Sequence, residues 1–212
     1  MIIKNEFDEV GIDNVVAYSG KDITPELIDR CFKLDGAFYK KEFSWENTDI
    51  KNTILNNSQM CFIFIDNNRG NIVGYSYWFP IKKEILQKFI DEKNILLDIK
   101  NDYCSGFTAP SIDLFLGGEA FVPGYDLMNL HKAVEDIFQY HILHLAKKGI
   151  KVRTVSFDSV CQYDEEFLVA RMGLKNRVQK KDCAFHYGKY NPKVVYSDSK
   201  YCSELEKFYN EK

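Results

Sequence analysis

The sequence predicts an α/β fold: one mixed, mostly antiparallel sheet with helices on both faces and a central parallel strand pair that splays apart. Three observations carry this reading. Met60-Cys61-Phe62-Ile63-Phe64-Ile65 and the run from Asn71 to Pro80 are apolar segments joined by Asn67-Asn68-Arg69-Gly70, the pattern of a hairpin. The stretch from Ile112 to Val122 alternates as a strand, then gives way near Leu127 to a helical period that ends at Ala146-Lys147-Lys148-Gly149. Val152 to Val160 is a further strand, so a right-handed crossover through the long helix makes it a parallel neighbour of 112–122. The Gly117-Gly118 pair reads as a bulge or a place of close backbone approach, and the two strands are expected to part there.

The remaining elements follow in order. Asn14 to Ser19 reads as a short strand, and Thr24-Pro25-Glu26 opens a helix with Thr24 as its cap and Pro25 in its first turn. Leu27, Ile28, Cys31, Phe32 and Leu34 form its apolar stripe. A second helix runs from about Asp49 to Asn56, and a third over residues 82–93 with Ile85, Leu86, Phe89 and Ile90 on one face. A less regular stretch leads to Pro110. In the long helix the buried stripe is Leu130, Val134, Ile137, Phe138, His141 and Leu145. Asp164 to Met172 is a helix stopped by Gly173, and Gln179 to Lys189 reads as a hairpin. The tail offers a strand at Val194-Val195-Tyr196 and a helix from Ser203. The expected organisation is a domain over residues 1–189 with a strand-helix extension over 190–212.

The 212 residues are 45% hydrophobic and 15% aromatic, enough for a sizeable core. A net charge of −3 supplies no basic field for nucleic acid or an acidic membrane. No apolar run approaches the roughly 18 residues of a membrane span. Met1 to Asp8 carries acids early and lacks a signal-peptide apolar block, so the expected setting is cytoplasmic. The six cysteines are scattered without CxxC or zinc-ligand spacing, which reads as reduced thiols and no metal site. The lysine pairs 40–41, 82–83, 147–148 and 180–181 read as solvated surface.

Chemistry concentrates where the 112–122 strand meets the long helix. A helix start beside a strand end offers backbone N–H groups to an anion. Glu119 follows the two glycines there. It is either an exposed strand-end carboxylate or a general base for an attacking ammonium, and Asp113 on the same strand is a lesser candidate. His131 stands near the helix start. His141 and His144 share a helix face, a spacing metal ligands can use but more often structural. Tyr75, Tyr77, Trp78 and Phe79 are either acceptor-pocket lining or core. Asp158, Cys161 and Tyr163 follow the next strand at the edge where such sheets bind ligands.

With Ala120-Phe121-Val122-Pro123, the helix ending Ala146-Lys147-Lys148-Gly149, and Glu166-Phe167-Leu168-Val169-Ala170-Arg171-Met172-Gly173-Leu174, the chain resembles the GNAT superfamily of acyl-CoA-dependent N-acyltransferases. The resemblance spans roughly residues 14–188 in element order. It implies transfer of an acetyl group from acetyl-CoA, or of another acyl group from another acyl-CoA, to a primary amine by direct attack. Phe121 and Val122 would pair with the pantetheine arm. Leu127, Met128, Asn129, Leu130 and His131 would hold the pyrophosphate, with Glu119 as base. The acceptor would be a small-molecule or peptide amine; neither nucleic acid nor membrane is implied, and a homodimer is left open.

The family's loop reads Arg/Gln-x-x-Gly-x-Gly/Ala, whereas Asp126-Leu127-Met128-Asn129-Leu130-His131 stands here. Asp126 replaces the basic or amide residue, and Asn129 and His131 replace the glycines that let phosphate approach the backbone. Val169 stands where the family often has the tyrosine that protonates the leaving thiolate, and Gln162 where it often has asparagine. Cys161 or Tyr163 could supply that proton. These departures sustain an alternative, a non-catalytic module of this fold that binds a partner or another ligand.

Overall fold

The structure is a computed structural model that describes residues 2–3, 15–38, 48–92, 99–159, 162–181 and 183–210. Cys161 and the Lys40-Lys41 pair lie outside the described residues. The elements are β1 (Ile2–Ile3), β2 (Val15–Ser19), α1 (Pro25–Phe38), α2 (Thr48–Asn56), β3 (Cys61–Asp66), β4 (Asn71–Ile81), α3 (Lys83–Asp91), β5 (Ser111–Phe121), α4 (Leu127–Lys147), β6 (Lys151–Ser159), α5 (Gln162–Met172), β7 (Asn176–Gln179), β8 (Ala184–Lys189) and α6 (Cys202–Asn210). The strands neighbour one another in the order β1-β2-β3-β4-β5-β6-β8-β7. β1/β2, β2/β3, β3/β4, β6/β8 and β7/β8 are antiparallel, and β5/β6 is parallel. This is the α/β class the sequence predicts.

The chain forms two compact units, Met1–Trp78 with Gly118–Val134, and Phe79–Gly117 with Glu135–Lys212. In the first, Thr24 caps α1 by accepting the Leu27 N–H at 3.3 Å. Ile28 and Cys31 are buried on its inner face. Lys51 of α2 reaches Asp29 of α1 at 2.6 Å. The β3/β4 hairpin turns over Asp66, whose Oδ1 accepts the N–H groups of Asn68 and Arg69 at 2.9 and 3.2 Å. All of β3 is buried. The register passes from Phe64↔Gly74 to Ile65↔Ile72, so Val73 is an extra residue on β4.

In the second unit, β5 and β6 pair from Ser111↔Lys151 to Leu116↔Phe157. Among the described residues the pairing stops there, immediately before Gly117-Gly118, while β5 runs on to Phe121. The rings of Phe89, Phe115 and Phe185 pack on one another with centroids 5.8 to 6.3 Å apart. Along α4 the predicted stripe is buried at Leu130, Val134, Ile137, Phe138 and Leu145, with His141 only partly covered.

Two expectations are corrected. Val194-Val195-Tyr196 is a turn, not a strand. Tyr196 adopts φ 51°, its N–H donates to Arg171 O at 3.0 Å, and the Gln139 amide donates to Val195 O. Residues of the tail, Tyr190, Val195, Tyr196 and Leu205, are buried in this unit. Lys180 is likewise not surface: it is 4% exposed, and its Nζ donates to Phe89 O and to Glu92 O at the C-terminal end of α3. Both carbonyls lie at the C-terminal end of α3, where the partial negative charge of the helix favours a cation, so the ammonium is satisfied there.

Candidate functional site

The end of β5 is fixed by its backbone. Val122 N–H donates to Val73 O at 2.7 Å, so the extra residue of β4 holds the end of β5. A Cβ added to Gly74 would meet Ala120 O at 2.6 Å, which places that carbonyl on the same side. Backbone groups alternate along a strand, so Phe121 directs its N–H and C=O to the edge away from β4. Of the two residues expected at the pantetheine arm, Phe121 thus has its amide on the outer edge, and Val122 has its N–H bonded inside the sheet. The Phe121 ring packs on Phe64 at 5.8 Å and on the His131 ring at 4.9 Å, nearly perpendicular at 78°.

The loop from Pro123 to Asp126 sets the angle between β5 and α4. Gly124 takes φ +100°, a conformation other residues rarely adopt. Tyr125 OH donates to Asp66 Oδ2 at 2.9 Å and ties the loop to the β3/β4 hairpin. Burial pushes the Asp66 carboxyl up, but the bonds from Tyr125, Arg69 and Asn68 outweigh it and hold the carboxyl below its ordinary value.

The first turn of α4 is closed by its own side chains. Asp126 Oδ1 accepts the Asn129 N–H at 3.1 Å, and Oδ2 accepts Asn129 Nδ2 at 2.9 Å. Asp126 O accepts the Leu130 N–H at 3.0 Å. Leu127 and Met128 are 41% and 71% exposed. His131 turns toward β5, with Nδ1 3.3 Å from Glu119 Oε1. The Glu119 side chain is 6% exposed, so its carboxylate is covered and does not face solvent at the strand end. The structure therefore brings together Glu119, Phe121 and His131, which the sequence singled out separately.

The other predicted groups are divided between the units: Tyr75, Tyr77 and Trp78 belong to the first, and Phe79, Asp113 and Asp158 to the second. Asp113 is buried and makes a bidentate ion pair with Arg153, which explains its place without chemistry. Tyr75, Tyr77, Trp78 and Phe79 are all buried core residues. Asp158 is the first β6 residue past the last β5 pair. Burial pushes its carboxyl up to about 7, opposed by its own backbone N–H. Tyr163 stands in the first turn of α5. Ser159 Oγ and Glu165 Oε1 both face His186 Nε2, at 3.5 and 3.3 Å, and Glu165 also takes Arg177 at 2.6 Å. Sharing one ring nitrogen, they cannot form a relay in which the acid holds the other nitrogen. Sequence reasoning missed this cluster because only β8 beside β6 brings residue 186 to 159. Among the described residues no three potential metal ligands gather.

No family model and no curated protein sequence matches the chain. Solved structures do match. Arabidopsis thaliana Naa50, in complex with a bisubstrate analogue CoA-Ac-MVNAL, superposes with a TM-score of 0.53 at 8% identity, covering 84% of this chain and 99% of that one. The Drosophila melanogaster polyamine N acetyltransferase gives 0.50 at 13% identity over 83% of this chain and 100% of that one. The GphF GNAT-like decarboxylase in complex with isobutyryl-CoA gives 0.51 at 14% identity over 71% and 69%. At such identities the likeness is one of architecture: the chain has the GNAT fold.

Proposed function

We propose that this chain is an N-acyltransferase that moves an acetyl group from acetyl-CoA, or another acyl group from an acyl-CoA, to a primary amine. The observation that carries the reading is the outer edge of β5. The strand outlasts its parallel pairing at Leu116↔Phe157, and at Phe121 it presents an N–H and a C=O to that edge. An extended amide-bearing arm adds to such an edge as another strand does. The solved GNAT structures with a CoA-containing analogue and with isobutyryl-CoA make a thioester donor the natural occupant.

The chemistry then follows from Glu119 and His131. An ammonium acceptor gives one proton to the Glu119–His131 pair, and the freed lone pair forms the C–N bond at the thioester carbonyl. The C–S bond breaks, the thiolate leaves, and the second nitrogen proton ends on sulfur. A backbone N–H at the strand end polarises the carbonyl. The acceptor is a small amine or a peptide amine. The setting is cytoplasmic, where scattered cysteines stay reduced.

The second reading, a non-catalytic module, is favoured by Val169 at the family's tyrosine position and by the closed first turn of α4. Calorimetric titration with acetyl-CoA separates the two. The acyltransferase reading expects a Kd below about 1 mM and thiol release with an amine. No heat at millimolar donor promotes the module.

A further inference from the structure

The three places where this chain departs from the family's loop are all used inside the protein. Asp126 and Asn129 bond to each other twice, at 3.1 and 2.9 Å. His131 stands 3.3 Å from Glu119 and against the Phe121 ring. We propose that the acyl donor is read through its thioester and pantetheine arm, and that Asp126 keeps a diphosphate from the start of α4. The inference rests on the acyl-transfer reading and names its donor class: a thioester whose nucleotide end contributes no affinity.

A helix start attracts an anion through N–H groups without helical acceptors and the positive end of the dipole. Here the anion is already present as the Asp126 carboxylate. It takes the Asn129 N–H, and the Leu130 N–H closes the first helical bond onto Asp126 O. Helix geometry leaves the N–H groups of Leu127 and Met128, whose exposed side chains are apolar and offer a dianion no countercharge. Arg69, at the nearby hairpin, lies 3.9 Å from Asp66 Oδ2. A diphosphate placed here would meet a carboxylate well inside the roughly 8 Å screening length of physiological salt. The pantetheine arm, by contrast, is uncharged and depends only on the β5 edge.

The test compares acetyl-CoA with acetyl-pantetheine, which carries the same thioester and arm without phosphate, by calorimetry on the full chain. Wild type should bind the two within about threefold of each other, at both low and physiological salt. Asp126→Ser keeps a capping oxygen and so a folded helix start, while removing the charge. It should tighten acetyl-CoA relative to acetyl-pantetheine by about fivefold, with an unchanged thermal midpoint. Acetyl-CoA binding wild type tenfold or more tighter than acetyl-pantetheine overturns the inference and leaves the acyl-transfer reading standing, as does an Asp126→Ser ratio equal to wild type. Binding of neither thioester overturns both.

Discussion

Gly74 lies against the ring of Phe121: a Cβ at position 74 would stand 2.2 Å from Phe121 Cδ1. No side chain fits there, so Gly74 sets how closely the end of β5 lies beside β4. Gly74→Ala must push the ring, and with it the strand end, outward. It should cost about 1–3 kcal/mol in urea unfolding and weaken donor binding. Unchanged stability and unchanged affinity would show that the strand end is not held this way.

Phe138 tests the α4 face. It is fully buried and packs against the rings of Tyr190 and Tyr196 at 6.5 and 5.2 Å. Phe138→Ala should cost about 3–5 kcal/mol. Near-neutral thermal unfolding of the variant would place another face of α4 in the core.

The tail is part of the packed second unit and not a free appendage. Tyr190 OH donates to Gln139 Oε1, the Val152 N–H donates to Tyr209 OH at 2.8 Å, and Leu205 is fully buried. Leu205→Ala should lower stability by about 2–5 kcal/mol, and deleting residues 190–212 should broaden or abolish the cooperative transition seen by circular dichroism. A truncated chain that unfolds as wild type does would contradict this.

Asp158 gives a pH signature. Folded, it keeps its proton up to about 7, whereas its ordinary value is 3.8. Between those values the folded chain binds more protons than the unfolded one, so this group's contribution falls as pH rises through that window. Asp158→Asn removes the titration. The variant should have a higher urea midpoint than wild type at pH 8, with the gap closing toward pH 4. A gap that widens toward acid would reverse the assignment.

Much of the fold was legible because its signals are local. The hairpin at Asn67–Gly70, the Thr24 cap and the strand-to-helix change near Leu127 each occupy a few consecutive residues. The misses are tertiary. Val194-Val195-Tyr196 has a strand's composition, but the Gln139 amide and Arg171 O claim its backbone. Lys180 looks like one half of any surface lysine pair, and only the end of α3 gives its ammonium two carbonyls. At the site, Glu119 and His131 were each visible as candidates. Their pairing was not, because it depends on the angle set by Gly124 and by Tyr125 on Asp66.

The charge at Asp126 can also be reversed. Asp126→Arg should tighten acetyl-CoA over wild type, most at low salt where screening is weakest, with acetyl-pantetheine little changed. Equal effects on both thioesters would mean that the substitution acts through the helix start and not through charge.

The most direct test of the central claim is thiol release from acetyl-CoA in the presence of a panel of primary amines and peptide N-termini, for wild type and Glu119→Gln. The acyltransferase reading expects amine-dependent release by wild type, and a loss of about 100-fold or more in Glu119→Gln, the scale of a general base, with donor affinity retained. Wild-type chain that neither binds millimolar acetyl-CoA nor releases thiol with any amine would contradict it.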